Sequence, residues 1–162
     1  MEEQEVGTEH LHEIIHEHAG HASWAEKVAL TTALFAVFAA ISSLLSTHAS
    51  DHAILLKVEA SDQWNYYQAK GIKSMLTKDP SEVTRYKEEQ EKIREGAEQH
   101  ETQSEHYVRV HEFFSYAVTA LQVATAIGAI GVLVKKRYLW GVSLGLGAIG
   151  VGLLIRAFLI WA

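Results

Sequence analysis

Three long runs without an acidic residue, and almost without a basic one, set the limits on how this chain can fold. The first, Val28 to Thr47, reads VALTTALFAVFAAISSLLST. The second, Phe113 to Val134, reads FFSYAVTALQVATAIGAIGVLV. The third, Tyr138 to Ala162, reads YLWGVSLGLGAIGVGLLIRAFLIWA, with Arg156 as its one charge. A helix needs roughly 20 apolar residues to cross a hydrocarbon core about 30 Å thick, and each run is long enough. Serine and threonine hydroxyls in the first run can bond to carbonyls one turn earlier, so they do not disqualify it. Arg156 lies near an end, where its side chain can snorkel toward headgroups. Trp24, Tyr138, Trp140 and Trp161 fall at the ends of the runs, where amphipathic rings prefer to sit.

Charge is segregated in the same way. Residues 1–26 carry seven acids and no Lys or Arg, whereas residues 113–162 carry four basic residues and no acid. Blocks of this kind suit parts that sit in different solvents. The net charge of −6 argues against a nucleic-acid partner, which would require a basic face. The absence of cysteine excludes disulfides, thiolate metal sites and thiol nucleophiles. The acidic start, Glu2, Glu3 and Glu5, is unlike the basic opening of a secretory signal.

Between the first two spans lie 64 residues, Ala49 to Glu112, which contain the only proline. Lys78-Asp79-Pro80-Ser81 is a turn signal: Pro80 stops the incoming helix, and Asp79 or Ser81 can cap the outgoing one. Beyond the turn, Val83, Tyr86, Gln90, Ile93, Ala97, His100, Ser104, Tyr107, His111 and Phe114 recur at alternating steps of three and four. Before it, Leu44, His48, Asp51, Leu55, Val58, Asp62, Asn65, Ala69, Ile72 and Leu76 keep the same rhythm. Two antiparallel helices that continue the spans satisfy both patterns, in a coiled-coil-like hairpin roughly 40–45 Å long. On this register Asp62 and Asn65 form a polar pair on the hairpin seam.

The expected fold class is therefore an all-α membrane protein. It has three transmembrane helices and a long antiparallel helical hairpin between spans one and two. The expected segments are an acidic, histidine-rich tail over 1–23 (an amphipathic helix), span one over 24–48 and the hairpin over 49–112 with its turn near 78–81. Span two over 113–134, a basic loop over 135–137 and span three over 138–162 follow.

Two features point to self-association. The incoming hairpin helix has a second stripe, Ala53, Leu56, Ala60, Trp64, Tyr67 and Gly71. A two-helix hairpin uses only one seam, so this stripe suits a neighbouring copy, the plainer alternative being one broad face with an aromatic lid over the partner helix. Span three has a GxxxG pair, Gly141 with Gly145, and an AxxxG pair, Ala148 with Gly152, and small residues let helices approach closely in lipid. The expected oligomer interface is thus Trp64, Tyr67, Gly71, Gly141, Gly145, Ala148 and Gly152.

Ten histidines are an excess for 162 residues. In the tail, His12 and His16 stand at i, i+4 and His18 and His21 at i, i+3, so each pair could share a divalent metal. Antiparallel pairing about the turn brings His48 near His111 and His52 near Tyr107, with Asp51 close by. That second group is a candidate metal or pH-responsive site, since imidazole titrates near neutrality. Solvated or interfacial histidines without a ligand are the plainer reading of both clusters, and no cofactor is required.

The tail Thr8-Glu9-His10-Leu11-His12-Glu13, the opening of the first run at Trp24 and Val28, and above all EASDQWNYYQAKGIK over Glu59–Lys73 resemble a bacterial family known as domain of unknown function 4337. The resemblance implies a bacterial membrane protein and carries no reaction, cofactor or catalytic residue. The expected location is then the bacterial cytoplasmic membrane. The short Lys135-Lys136-Arg137 loop should stay cytoplasmic, which puts the N-terminus inside and the hairpin in the periplasm. No nucleophile elbow or phosphate-cradling loop is present, so no enzyme is expected. The expected function is a homo-oligomeric structural or assembly protein whose partners are the lipid bilayer and its own copies. One alternative is an oligomeric channel or small transporter using Thr119, Gln122, Thr125 and Arg156. Another is a divalent-metal or pH-responsive membrane protein using the histidines.

Overall fold

In the computed structural model the backbone is described from residue 3 and side chains from residue 24 to residue 162. The tail histidines His12, His16, His18 and His21, and the apolar face expected of that segment, lie outside the described side chains. Among the described residues there are three helices: α1 (Glu3–Leu76), α2 (Pro80–Leu133) and α3 (Arg137–Trp161). All three are long and apolar enough to cross a membrane. α1 runs unbroken from an apolar segment into a charged one, and α2 from a charged segment into an apolar one.

Both connections have identifiable local causes. Residues 77–79 break α1 from α2. Asp79 caps α2: its Oδ1 accepts from the Ser81 backbone N–H at 2.9 Å and from the Ser81 hydroxyl at 2.8 Å. Pro80 occupies the first helical position, where its missing N–H costs nothing. At the other end of α2, Lys135 adopts φ 55°. The Lys136 N–H donates to the Gly131 carbonyl at 3.0 Å and the Lys135 N–H to Val132 at 3.2 Å, which is a Schellman closure.

The chain divides into two units. The first comprises residues 1–42 and 116–153. Its core is narrow and built from small residues, with Val28, Ala39 and Ser42 from α1 and Ala117, Leu121 and Ala124 from α2 buried with Ser143 of α3. Gly150 permits this closeness, because a Cβ there would lie 2.7 Å from Leu121 Cγ. Gly147 likewise receives the Phe35 ring. Hydrogen bonds join the helices: Ser143 donates to the Ala124 carbonyl at 2.6 Å, and Trp140 Nε1 donates to Thr31 Oγ1 at 3.2 Å. Other hydroxyls bond back within their own helix, as Ser42 does to the Phe38 carbonyl at 2.7 Å. Large apolar side chains point outward instead, among them Leu30, Leu34, Val37 and Ile41.

The second unit comprises residues 43–115 and 154–162. Here α1 and α2 run antiparallel through Ala49, Ala53, Ala60, Ala97, Ser104 and Val110, all buried. Ser104 donates to the Ala53 carbonyl at 2.8 Å. The end of α3 adds a small aromatic core, with Phe114 fully buried and edge-on to Phe158 and Trp161 at 5.5 and 5.6 Å.

The seam on α1 is not the row richest in Leu, Val and Ile. Leu44, Leu55, Val58, Ile72 and Leu76 are 54–77% exposed, and Asp62 and Asn65 are exposed beside them. The second stripe packs instead on α2, whose own stripe faces inward as expected. The reason is close approach: alanines at the contact and a hydroxyl reaching a partner carbonyl bring the backbones nearer than Leu and Val would allow. Asp62 and Asn65 therefore do not fix the register of this hairpin.

Candidate functional site

Three groups of residues bear on function: the faces of α1, the small-residue face of α3 and the histidines.

On α1 the residues expected to meet another copy take part in the hairpin. Trp64 and Tyr67 are half-buried and lie edge to face at 5.5 Å. Gln90 of α2 donates from Nε2 to the Tyr67 carbonyl at 3.0 Å. A Cβ at Gly71 would lie 2.8 Å from that same Nε2. These three residues are thus intramolecular contacts. What they leave outward is the stripe from Leu44 to Leu76, with Leu55 and Val58 59% and 54% exposed.

On α3 the small residues divide between two faces. Ser143, Gly147, Gly150 and Ala157 are buried, whereas Gly141, Gly145, Ala148 and Gly152 are exposed. A Cβ at Gly141, Gly145 or Gly152 would meet nothing within 4 Å. The GxxxG and AxxxG pairs therefore share one open face.

The histidine group expected at the base of the hairpin forms only in part. His52 stacks on Tyr107 at 5.2 Å, as the pairing about the turn requires, and His48 lies 6.0 Å from His52. His111 is drawn elsewhere. Its Nδ1–H donates to the Ser46 carbonyl at 2.9 Å; a carbonyl can only accept, so the ring carries its proton on Nδ1. The Ser46 hydroxyl sits 2.9 Å from that nitrogen and 2.9 Å from Ser115 Oγ. Asp51 is exposed. Among the described residues no three His, Asp or Glu side chains are placed to hold a metal ion together.

A family described as a domain of unknown function (DUF4337) matches residues 24–82 and 76–160. The chain belongs to that family. No curated protein and no solved structure matches it. Family membership extends across both units and brings no assigned chemistry.

Some ties within this family member escape a reading of stripes. Lys70 pairs with Glu89 and lies over the Tyr66 and Tyr86 rings at 5.1 and 5.4 Å. The hydrogen bond between them holds the Glu89 carboxyl below its usual range and raises the Lys70 amine, with Tyr66 adding to the latter. Lys57 pairs with Glu101 at 3.1 Å. A groove of about 340 Å³ beside that pair is lined by Ala53, Ile54, Val108 and His111. The register of the hairpin signals all of these pairs once one of them is known.

Proposed function

We propose that this chain is a structural or assembly protein of a membrane, not an enzyme, and that it works as a homo-oligomer. One observation carries the reading: the apolar stripe Leu44, Leu55, Val58, Ile72 and Leu76 keeps heptad-like spacing along α1 yet faces away from α2. Beyond the span, exposed Leu55, Val58, Ile72 and Leu76 are costly in water, and packing against an identical row covers them. The open glycine face of α3 supports the same reading, since small residues let lipid-embedded helices meet. The membrane is the bacterial cytoplasmic membrane, with the basic 135–137 loop in the cytoplasm and an extramembrane hairpin on the other side.

The cysteine-free sequence makes a direct test available. Leu55→Cys, oxidised in native membranes, should give a disulfide-linked dimer, while Lys92→Cys on the exposed side of α2 should not. Equal or absent cross-linking at both positions would contradict the reading. Labelling Lys78→Cys with an impermeant thiol reagent in intact cells checks the orientation, which fails if only lysed cells react.

A second reading, an oligomeric channel or small transporter, draws on Gln122. Its side chain is exposed on α2 within an uncharged run. A carboxamide facing lipid leaves hydrogen-bonding groups unsatisfied, whereas a wet lumen satisfies them. Ion flux into proteoliposomes that Gln122→Leu abolishes would support this reading, and sealed proteoliposomes would exclude it.

A further inference from the structure

We propose that His48 and His52 form half of a divalent transition-metal site, of the zinc class, that a second copy of the chain completes. The inference rests on the assembly reading and adds a ligand to it.

Both imidazoles are exposed, one helical turn apart on α1, with ring centroids 6.0 Å apart and planes tilted by 37°. Spacing of four residues places them on one face of the helix. No hydrogen bond or ion pair engages either ring among the described residues. His52 lies stacked on Tyr107 with 21° between the rings, which fixes its plane. Two imidazoles held in this way are a bidentate ligand for zinc, nickel or copper.

One chain alone cannot finish the site. Zinc takes four ligands tetrahedrally, no three candidate ligands converge among the described residues, and His111 is committed to Ser46. His48 itself belongs to the exposed stripe, between Leu44 and Leu55. Packing that stripe on its copy about a two-fold axis sets a second His48–His52 pair opposite the first. Packed helices lie about 8–10 Å apart. Imidazoles from both sides can span that gap to one shared ion, with Zn–N bonds of about 2.0–2.1 Å. Asp51 is exposed on the same stripe. Two copies of it would repel across a bare interface, and a divalent cation beside them offsets that repulsion.

The test uses tag-free full-length protein in which His10, His12, His16, His18 and His21 are replaced by Gln, so that tail histidines do not contribute. Zinc is titrated with stoichiometry read by native mass spectrometry, and cobalt(II) reports geometry through its visible spectrum. The site predicts one ion per two chains, an intense tetrahedral cobalt spectrum, and loss of both in His48→Gln and in His52→Gln. One ion per chain, or a spectrum that both substitutions leave intact, overturns it. A multimer that forms equally well in EDTA and carries no metal overturns the metal site and leaves the assembly reading standing. A monomer with or without zinc overturns both.

Discussion

The Gln90 carboxamide donates to the backbone carbonyl of Tyr67 at 3.0 Å, from one hairpin helix to the other. This bond turns Trp64, Tyr67 and Gly71 toward α2 and, by helical geometry, turns Leu55 and Val58 away. Trp64→Ala and Tyr67→Ala should then weaken the hairpin without changing the assembly. Each is expected to cost about 1–2 kcal/mol, the loss of a half-buried ring. Thermal melts followed by circular dichroism measure the cost, and cross-linking at Leu55→Cys reports the assembly in the same background.

The glycines of α3 should divide in the same way. Gly150→Ala forces its methyl against the fully buried Leu121 and should destabilise the fold by about 1–3 kcal/mol, as overpacking does. Gly145→Leu meets open space, so its monomer should melt normally while its assembly shrinks. Paired melting and mass measurements on the two variants separate the roles. Equal effects on both readouts would contradict the division.

These two cases mark where the sequence was readable and where it was not. Apolar run length and the single Pro80 revealed the three helices and the turn, because lipid thickness and a missing N–H act locally. The stripe from Val83 to Phe114 was also legible, since α2 has one continuous row. On α1 two rows at the same spacing compete, and Leu, Val and Ile content favours the wrong one. The contest is settled by how closely α1 and α2 approach, which depends on Ala97 and Ser104 across the seam. The same holds for Gly145 and Gly150: both are small, and only neighbours such as Leu121 distinguish a packed face from an open one. Register alone points to His48 and His52, but the pull of Ser46 on His111 leaves no trace in spacing.

The Lys70–Glu89 pair should give the hairpin a defined pH response. Glu89 is held below the ordinary glutamate value of about 4.3, first by its hydrogen bond from Lys70. Its contribution is therefore present above that value and is lost as pH falls through the depressed folded pKa. Lys70 is raised above about 10.4, first by Glu89 and then by Tyr66, so its contribution is complete below that value and is lost as pH rises through the raised folded pKa. Melting temperatures of the wild type and Glu89→Gln should differ most between these limits and converge at both extremes. A constant difference across the range would contradict the assignment.

At the end of α2 the left-handed Lys135 offers a stabilising change. Its φ of 55° suits glycine, and a side chain there costs about 1 kcal/mol. Lys135→Gly should raise the melting temperature by an amount of that order. The substitution keeps Lys136 and Arg137, so thiol labelling at Lys78→Cys should show an unchanged orientation.

Self-assembly through the outward stripe of α1 is tested most directly by native mass spectrometry of tag-free protein released gently from its own membrane. Wild type should give a single defined multimer, and the double variant Leu55→Gln, Val58→Gln should fall to monomer with its helicity intact. A monomeric wild type, or a multimer that the double variant leaves unchanged, would contradict it.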